Sequence, residues 1–397
     1  MLEWKLERKI TINKGAPMKI VIAPDSFKES MTALQCATAI ERGINNIEAG
    51  HDIIKIPMAD GGEGTVQSLV DALAGEMIYT SVTGPLGKPV DAFYGVIHQE
   101  VAVIEMAAAS GLDVLSEEER NPMNTTTYGT GELIMHALNK GIRTFIIGIG
   151  GSATNDGGIG MAQALGAEIT DDHYQPVSFG GEGLANVRHI HLDTLDERLK
   201  ECSFDVACDV VNPLVGQDGA SYIYGPQKGA DPHMVTYLDK AMENYGKCVK
   251  EQIGVDVLTL RGGGAAGGLG AALYAYLQAN LQPGFDLVTS YIGLESYVQD
   301  ADLVITGEGK IDDQTIYGKT PIGVAKIAKQ YNLPVLAIGG TVDITSNDIY
   351  IHGVDAVFSI LNKPMTLEDA LQHAEQLTEA LTENIWRFWS ASPHSKA

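Results

Sequence analysis

The sequence predicts an α/β protein in two parts: a discontinuous parallel-sheet domain, residues 18–75 with 291–397, and a second, mixed α/β domain inserted at 76–290. Three observations lead there. Residues 18–75 and the last quarter of the chain repeat one order of elements, an apolar strand, a loop of acids and glycines, then a helix with an apolar face. Between them, residues 77–106 read as strand-like pieces joined by short polar turns, the grammar of an antiparallel sheet. Finally, 397 residues exceed what a single hydrophobic core usually organises.

Residues 1–17 carry charges throughout and are expected to form an extension outside the fold. From Met18, KIVIAPDSFKES runs from strand into loop, and residues 32–44 have helical spacing at Leu34, Ala37 and Ile40, ending at Gly43. A strand at 53–57 empties into Ala59-Asp60-Gly61-Gly62-Glu63-Gly64-Thr65, and an apolar helix follows through Val70 and Leu73. Strand-like pieces at 77–83, 92–97 and 101–106 are joined by Gly84-Pro85-Leu86-Gly87 and by His98-Gln99-Glu100. A helix at 130–138, a strand at 144–149, a helix from about 158, a strand at 206–210 and a long amphipathic helix at 231–253 come next. Helices at 271–277 and 288–298 lead to residues 302–321, DLVITGEGKIDDQTIYGKTP. That stretch reads as a buried strand to Thr306, an acidic glycine-rich loop, and a helix with Pro321 at its first position and Thr320 as its N-cap hydroxyl. Strands at 334–338 and 356–360 and a helix at 367–386 complete the chain.

The charge balance narrows the function. With 51 acidic against 27 basic residues the formal net charge is −24, which repels nucleic acid and anionic membrane alike. No apolar run reaches the roughly 18 residues of a membrane span. The four cysteines form no Cys-x-x-Cys pair and no zinc spacing, as expected of reduced thiols in a cytoplasmic protein. An acidic surface still binds an anionic metabolite where a few lysines and helix ends focus on one cleft and Mg²⁺ offsets the acids. The sequence does not specify an oligomeric state.

Several stretches carry candidate chemistry. Glu308, Asp312 and Asp313 cluster carboxylates in one loop, which suits a bound cation, and Lys319 precedes a helix N-terminus, which suits phosphate. Gly318-Lys319-Thr320 is not a P-loop, because Asp313 stands where the first glycine belongs. Gly148-x-Gly150-x-x-Ala153 after a strand fits a dinucleotide fingerprint, with Glu168 at a suitable distance, and equally fits an anion cradle of backbone N–H groups. The first reading makes the chain an NAD-dependent 2-hydroxy-acid dehydrogenase; a non-catalytic metabolite-binding protein is a further alternative. Gly262-x-Gly264-x-x-Gly267 matches the fingerprint too, without a strand before it. His189-x-His191 has no third ligand at metal spacing and reads as a strand with alternating histidines.

Taken together, Ala23-PDSFKES, Pro57-MADGGEGT, Glu105-MAAASGL, Ile149-GGSATNDGG, Ala207-CDVVNPLVG, Tyr224-GPQKGA, Gly263-GAAGGLGAA, Ile305-TGEGKIDDQT and Gly318-KTPIGVA resemble the bacterial glycerate kinases of the first class. Tyr128 departs from the pattern, standing where relatives can carry arginine. The resemblance implies a flavodoxin-like discontinuous domain and ATP-dependent phosphorylation of D-glycerate, with 2-phosphoglycerate as the favoured product. Lys28 and Lys319 are then expected on phosphate or carboxylate, and Asp209 as base for the glycerate hydroxyl. Ser26, Gly150, Gly151, Ser152, Lys228, Gly263, Gly264 and Thr320 are expected to bind substrate or phosphate, and Asp60, Glu63, Glu308 and Asp312 to bind Mg²⁺.

Overall fold

A computed structural model describes residues 17–391, so the expected extension, apart from Pro17, lies outside the described residues. Strands β1 (Lys19–Pro24) and β2 (Asp52–Lys55) open a five-stranded parallel sheet. The chain then builds a six-stranded mixed sheet from β3 (Glu76–Thr83), β4 (Pro89–Ile97), β5 (Val101–Glu105), β6 (Thr144–Gly148), β9 (Ser203–Ala207) and β10 (Asn280–Gln282). A small antiparallel pair, β7 (Glu168–Thr170) with β8 (His189–His191), sits apart from it. The chain returns to the first sheet with β11 (Leu303–Asp312), β12 (Val335–Asp343) and β13 (Ala356–Ser359).

In the parallel sheet the order is β13-β12-β11-β1-β2, so the chain winds outward in opposite directions from the β1/β11 pair. That reversal is the topological switch point, where the helices diverge to the two faces and leave a crevice at the strands' carboxyl ends. β1 is buried along nearly its whole length, as a central parallel strand must be. In the mixed sheet, β3, β4 and β5 pair antiparallel and β5, β6, β9 and β10 run parallel, so the turn-rich segment folds as its pattern indicates. One apolar cluster joins the sheets, with Val66, Leu69 and Val70 of the helix Thr65–Ala72 packing among Val21 and Ala23 from one sheet and Ile97 and Val103 from the other.

The largest difference from the sequence reading lies at 307–312. Those residues continue β11 rather than form a loop, pairing with β12 as far as Asp312 opposite Asp343. Gly307 serves close strand approach, since a Cβ there would lie 2.3 Å from the Ile338 carbonyl of β12, and on β12 a Cβ on Gly340 would lie 2.5 Å from the Gly309 carbonyl. β1 stops pairing at Pro24 opposite Gly307, and the next residues, beginning with Asp25, turn across the gap it leaves. Other elements differ at their ends. The first helix runs past Gly43 to Asn45, because Gly43 is where it touches the C-terminal helix Ala374–Ala391, with a Cβ only 2.6 Å from the Glu379 carbonyl. The span 288–298 is two helices, Gly284–Ile292 and Leu294–Val298, broken at Gly293 with φ 70°. The strand expected at 206–210 is β9, ending at Ala207, which puts Cys208 and Asp209 in the loop beyond it. The long helix Pro232–Ile253 starts as expected, with Asp231 accepting from the His233 and Met234 N–H groups.

Candidate active site

Loops from both sheets meet at Asp60. The turn Asp60–Gly61–Gly62 is wedged between the sheets: a Cβ on Gly61 would lie 2.5 Å from the Ala207 Cβ and 3.0 Å from the Gly284 Cα, and its φ of 90° is left-handed. Glycine is required there on both counts. Three connected hollows surround the turn, and Asp60 lines each of them. A small chamber of about 270 Å³ lies against the mixed sheet, walled by the turn after β6, the loop after β9 and the stretch at Ala265–Ala266. A cleft of about 650 Å³ runs past Asp209, Phe285 and Lys319 along the helix Thr320–Gln330. A rim of about 540 Å³ lies over the switch point and carries Asp25, Ser26, Lys28, Glu63, Glu308 and Lys319.

The carboxylates here are held in a low-dielectric setting close to one another. Burial pushes Asp25 up to about 7, the Asp60 charge adds to this, and the 2.6 Å hydrogen bond donated by the Thr320 hydroxyl opposes it. Burial also raises Glu308 to about 7, against a 2.6 Å hydrogen bond from Thr315 and the Lys319 ammonium 3.8 Å away. Asp209 rises to about 6, chiefly by burial, with the Gly284 N–H donating to it at 2.9 Å and Asp60 adding repulsion. Asp60 thus raises all three, the electrostatic signature of a site with excess negative charge.

Residues 149–155, the turn after β6, are uncharged by contrast. Gly151 adopts φ 72°, and Ser152 and the Thr154 carbonyl accept from Lys228 Nζ at 2.7 and 2.6 Å. Lys228 is only 1% exposed, and burial pushes its ammonium down to about 7 with the Asp156 charge opposing. Asp156 is wholly buried, accepting from the Thr127 N–H and hydroxyl and from the Gly158 and Gly160 N–H groups. It clamps the loop instead of facing a ligand. The following helix begins only at Ile159, so Gly148-x-Gly150-x-x-Ala153 does not open a helix as a dinucleotide fingerprint must.

The expected site residues separate into those that converge and those that do not. Lys28, Ser26, Asp60, Glu63, Glu308 and Lys319 share the rim; Asp60, Gly150, Gly151, Ser152, Asp209 and Lys228 share the chamber. Lys28 pairs with Glu63 at 3.0 Å. Asp312 turns to Lys310 at 2.9 Å, whose hydrogen bond holds its carboxyl below the usual range. Thr320 is not the N-cap, a position taken by Lys319 without a side-chain bond; its hydroxyl goes to Asp25 instead. Gly263 and Gly264 lie behind the chamber, where the Gly264 N–H donates to the Asn212 carbonyl at 3.0 Å, and the next two residues form the wall. His189 stacks on Tyr174, as suits a structural strand. Among the described residues no group of three or more His, Cys, Asp or Glu is arranged to hold a metal ion. Asp25 was overlooked in the sequence reading, although an acid directly after a strand's carboxyl end was the available signal.

Comparison with known proteins fits this arrangement. The glycerate kinase family model matches residues 20–390. The chain belongs to the glycerate kinase family. Glycerate kinase from Bacillus subtilis (strain 168) is 53% identical over 369 residues, 93% of this chain and 97% of that protein. Glycerate 2-kinase from Escherichia coli (strain K12) is 50% identical over 358 residues, 90% of this chain and 94% of that one. A crystal structure from Salmonella typhimurium LT2, described as a glycerate kinase 2, superposes with a TM-score of 0.87 at 52% identity, covering 95% of this chain and 99% of that one. Among the described residues, no helix of this family member is long and apolar enough to cross a membrane.

Proposed function

We propose that the chain transfers the γ-phosphoryl group of ATP to the 2-hydroxyl of D-glycerate, giving 2-phosphoglycerate and ADP. The observation that carries this is the meeting, at one aspartate, of an acidic rim that carries Lys28 and Lys319 among its lysines, a nucleotide-sized cleft and a smaller chamber, in a chain about half identical to glycerate kinases over nearly its whole length. Lys319 and Lys28 act on the phosphates, where preorganised charge stabilises the transferring group. Asp209 takes the proton of the acceptor hydroxyl; a carboxyl near 6 is ionised at neutral pH yet basic enough to accept it.

Mg²⁺ fits at Asp60 and Glu308. Their oxygens are hard donors in a region where clustered carboxylates raise one another, and Mg²⁺ commonly takes one or two carboxylates, with phosphates and water completing its shell. When bound it neutralises charge on the nucleotide phosphates. Asp312 and Glu63, each committed to a lysine, are less suited to it.

The 2-position follows from anchoring. If a cation grips the glycerate carboxylate, the adjacent C2 hydroxyl is held close beside the anchor while the C3 arm keeps its freedom. The domain division at 18–75 with 291–397 and 76–290 is part of the same reading, one sheet contributing the acidic rim and the other the chamber. Four free cysteines support a reducing, cytoplasmic setting.

Phosphorus NMR of a mixture of enzyme, ATP, Mg²⁺ and D-glycerate tests the reading, with 2-phosphoglycerate as the expected first product, consumed by enolase without a mutase. A first product of 3-phosphoglycerate would overturn the regiochemistry and leave the kinase. Absence of glycerate-dependent ADP would overturn both.

A further inference from the structure

We infer that the small chamber beside Asp60 is the acceptor subsite, holding the carboxylate of a three-carbon hydroxy acid on Lys228 Nζ, while the nucleotide lies in the larger cleft on the other side of Asp60. The inference rests on the kinase reading above and divides its crevice in two.

Size separates the hollows first. Sites for drug-sized ligands run from about 300 to 1,000 Å³. The chamber, at about 270 Å³, falls below that range and suits a small metabolite; the cleft, at about 650 Å³, falls within it. Chemistry agrees. The cleft offers apolar Phe285 and Ile327 beside Lys319 and Lys326, surfaces for a base and for phosphates. Among the described residues lining the chamber, Lys228 is the one basic side chain.

Lys228 is also incompletely used. An ammonium has three donors, and among the described residues its hydrogen-bond partners are Ser152 Oγ and the Thr154 carbonyl. Burying a lysine is costly unless its charge is matched. The Asp156 charge acts on it from within the fold, and an incoming carboxylate supplies the third acceptor and a further opposite charge. The wall carries a second mark of function: Ala266 is a non-glycine residue at φ 52°, a conformation that costs free energy and clusters at ligand sites. Asp209 lines both chamber and cleft, so an acceptor on Lys228 and a nucleotide along the helix Thr320–Gln330 would approach each other at Asp209 and Asp60.

The test is steady-state kinetics of Lys228→Met, with D-glycerate and with glycerol, the carboxylate-free analogue, as acceptor or competitor. The expected result is a rise of about ten- to a hundredfold in KM for glycerate, the range for a lost charged hydrogen bond. KM for ATP should stay within about twofold, and the preference for glycerate over glycerol should collapse. A folded variant that keeps the preference, or whose defect falls on ATP, overturns the proposal. Should Lys228→Met not fold, Ala265→Val narrows the chamber instead: raising KM for glycerate alone supports the subsite, and raising KM for ATP alone or neither overturns it. Wild-type enzyme that does not phosphorylate glycerate would mark failure of the kinase reading, a different result from any of these.

Discussion

The acidic rim over the parallel sheet and the glycine-walled chamber against the mixed sheet solve opposite electrostatic problems within one crevice. On the rim, Asp25 and Glu308 are buried near Asp60 and pushed up to about 7, which marks this half as crowded with carboxylates. In the chamber a single lysine is buried instead, pushed down to about 7 against the Asp156 charge and hydrogen-bonded to two uncharged oxygens. On the function proposed above, the difference teaches how a −24 chain handles two anionic substrates without a basic surface: a carboxylate-rich half suited to Mg²⁺ and phosphates is paired with a half that offers one desolvated positive charge to a carboxylate.

The comparison breaks most readily at Asp60, which belongs to both halves. Asp60→Asn should lower kcat by about 10³-fold or more while circular dichroism and melting stay near wild type, because it removes charge from the point that all three hollows share. A loss under tenfold would mean that the halves do not join there. Lys319→Ala should cost about 10²-fold in kcat with the fold intact, since preorganised charge on a transferring phosphoryl group is worth about that much. An unchanged kcat would make it a solvated surface charge.

The rim's burial has a consequence for stability. A carboxyl raised from 3.8 to about 7 binds its proton more tightly in the folded state, so its contribution is fully present below about pH 4 and is lost as pH rises through 7. Asp25→Asn removes that dependence. Its melting temperature, relative to wild type in the absence of ligands, should therefore improve by a few degrees from pH 4 to pH 8, and a constant or worsening difference would show that Asp25 is not strained by its surroundings. The smallest effect is expected at Asp312→Asn. With its carboxylate given to Lys310, kcat and the Mg²⁺ requirement should stay within about twofold of wild type, and a large loss would return it to the metal site.

Much of this was legible from local pattern. The βα order around residues 18–75, the antiparallel turn-rich segment and the acids at strand ends are short-range signals, and they sufficed for the two sheets and for the expectation that Asp60, Asp209 and Glu308 face one crevice. What escaped depends on distant partners. Gly307 looks like a loop residue in sequence, but a Cβ there would lie 2.3 Å from the Ile338 carbonyl of β12. Thr320 looks like an N-cap, yet its hydroxyl is drawn to Asp25, 295 positions away. Lys228 gives no sequence sign of burial, since lysines are mostly exposed. Its environment is assembled from Ser152 and Thr154 by the packing of the glycine stretch at 262–268 beneath them.

The most direct test of the divided crevice is a crystal structure with D-glycerate and a non-hydrolysable ATP analogue bound together. The account predicts the glycerate carboxylate on Lys228 Nζ in the chamber, the nucleotide along the cleft with its terminal phosphate near Lys319, and Asp60 between the two. Glycerate bound on the rim with the nucleotide, or an Asp60 that touches neither substrate, would contradict it.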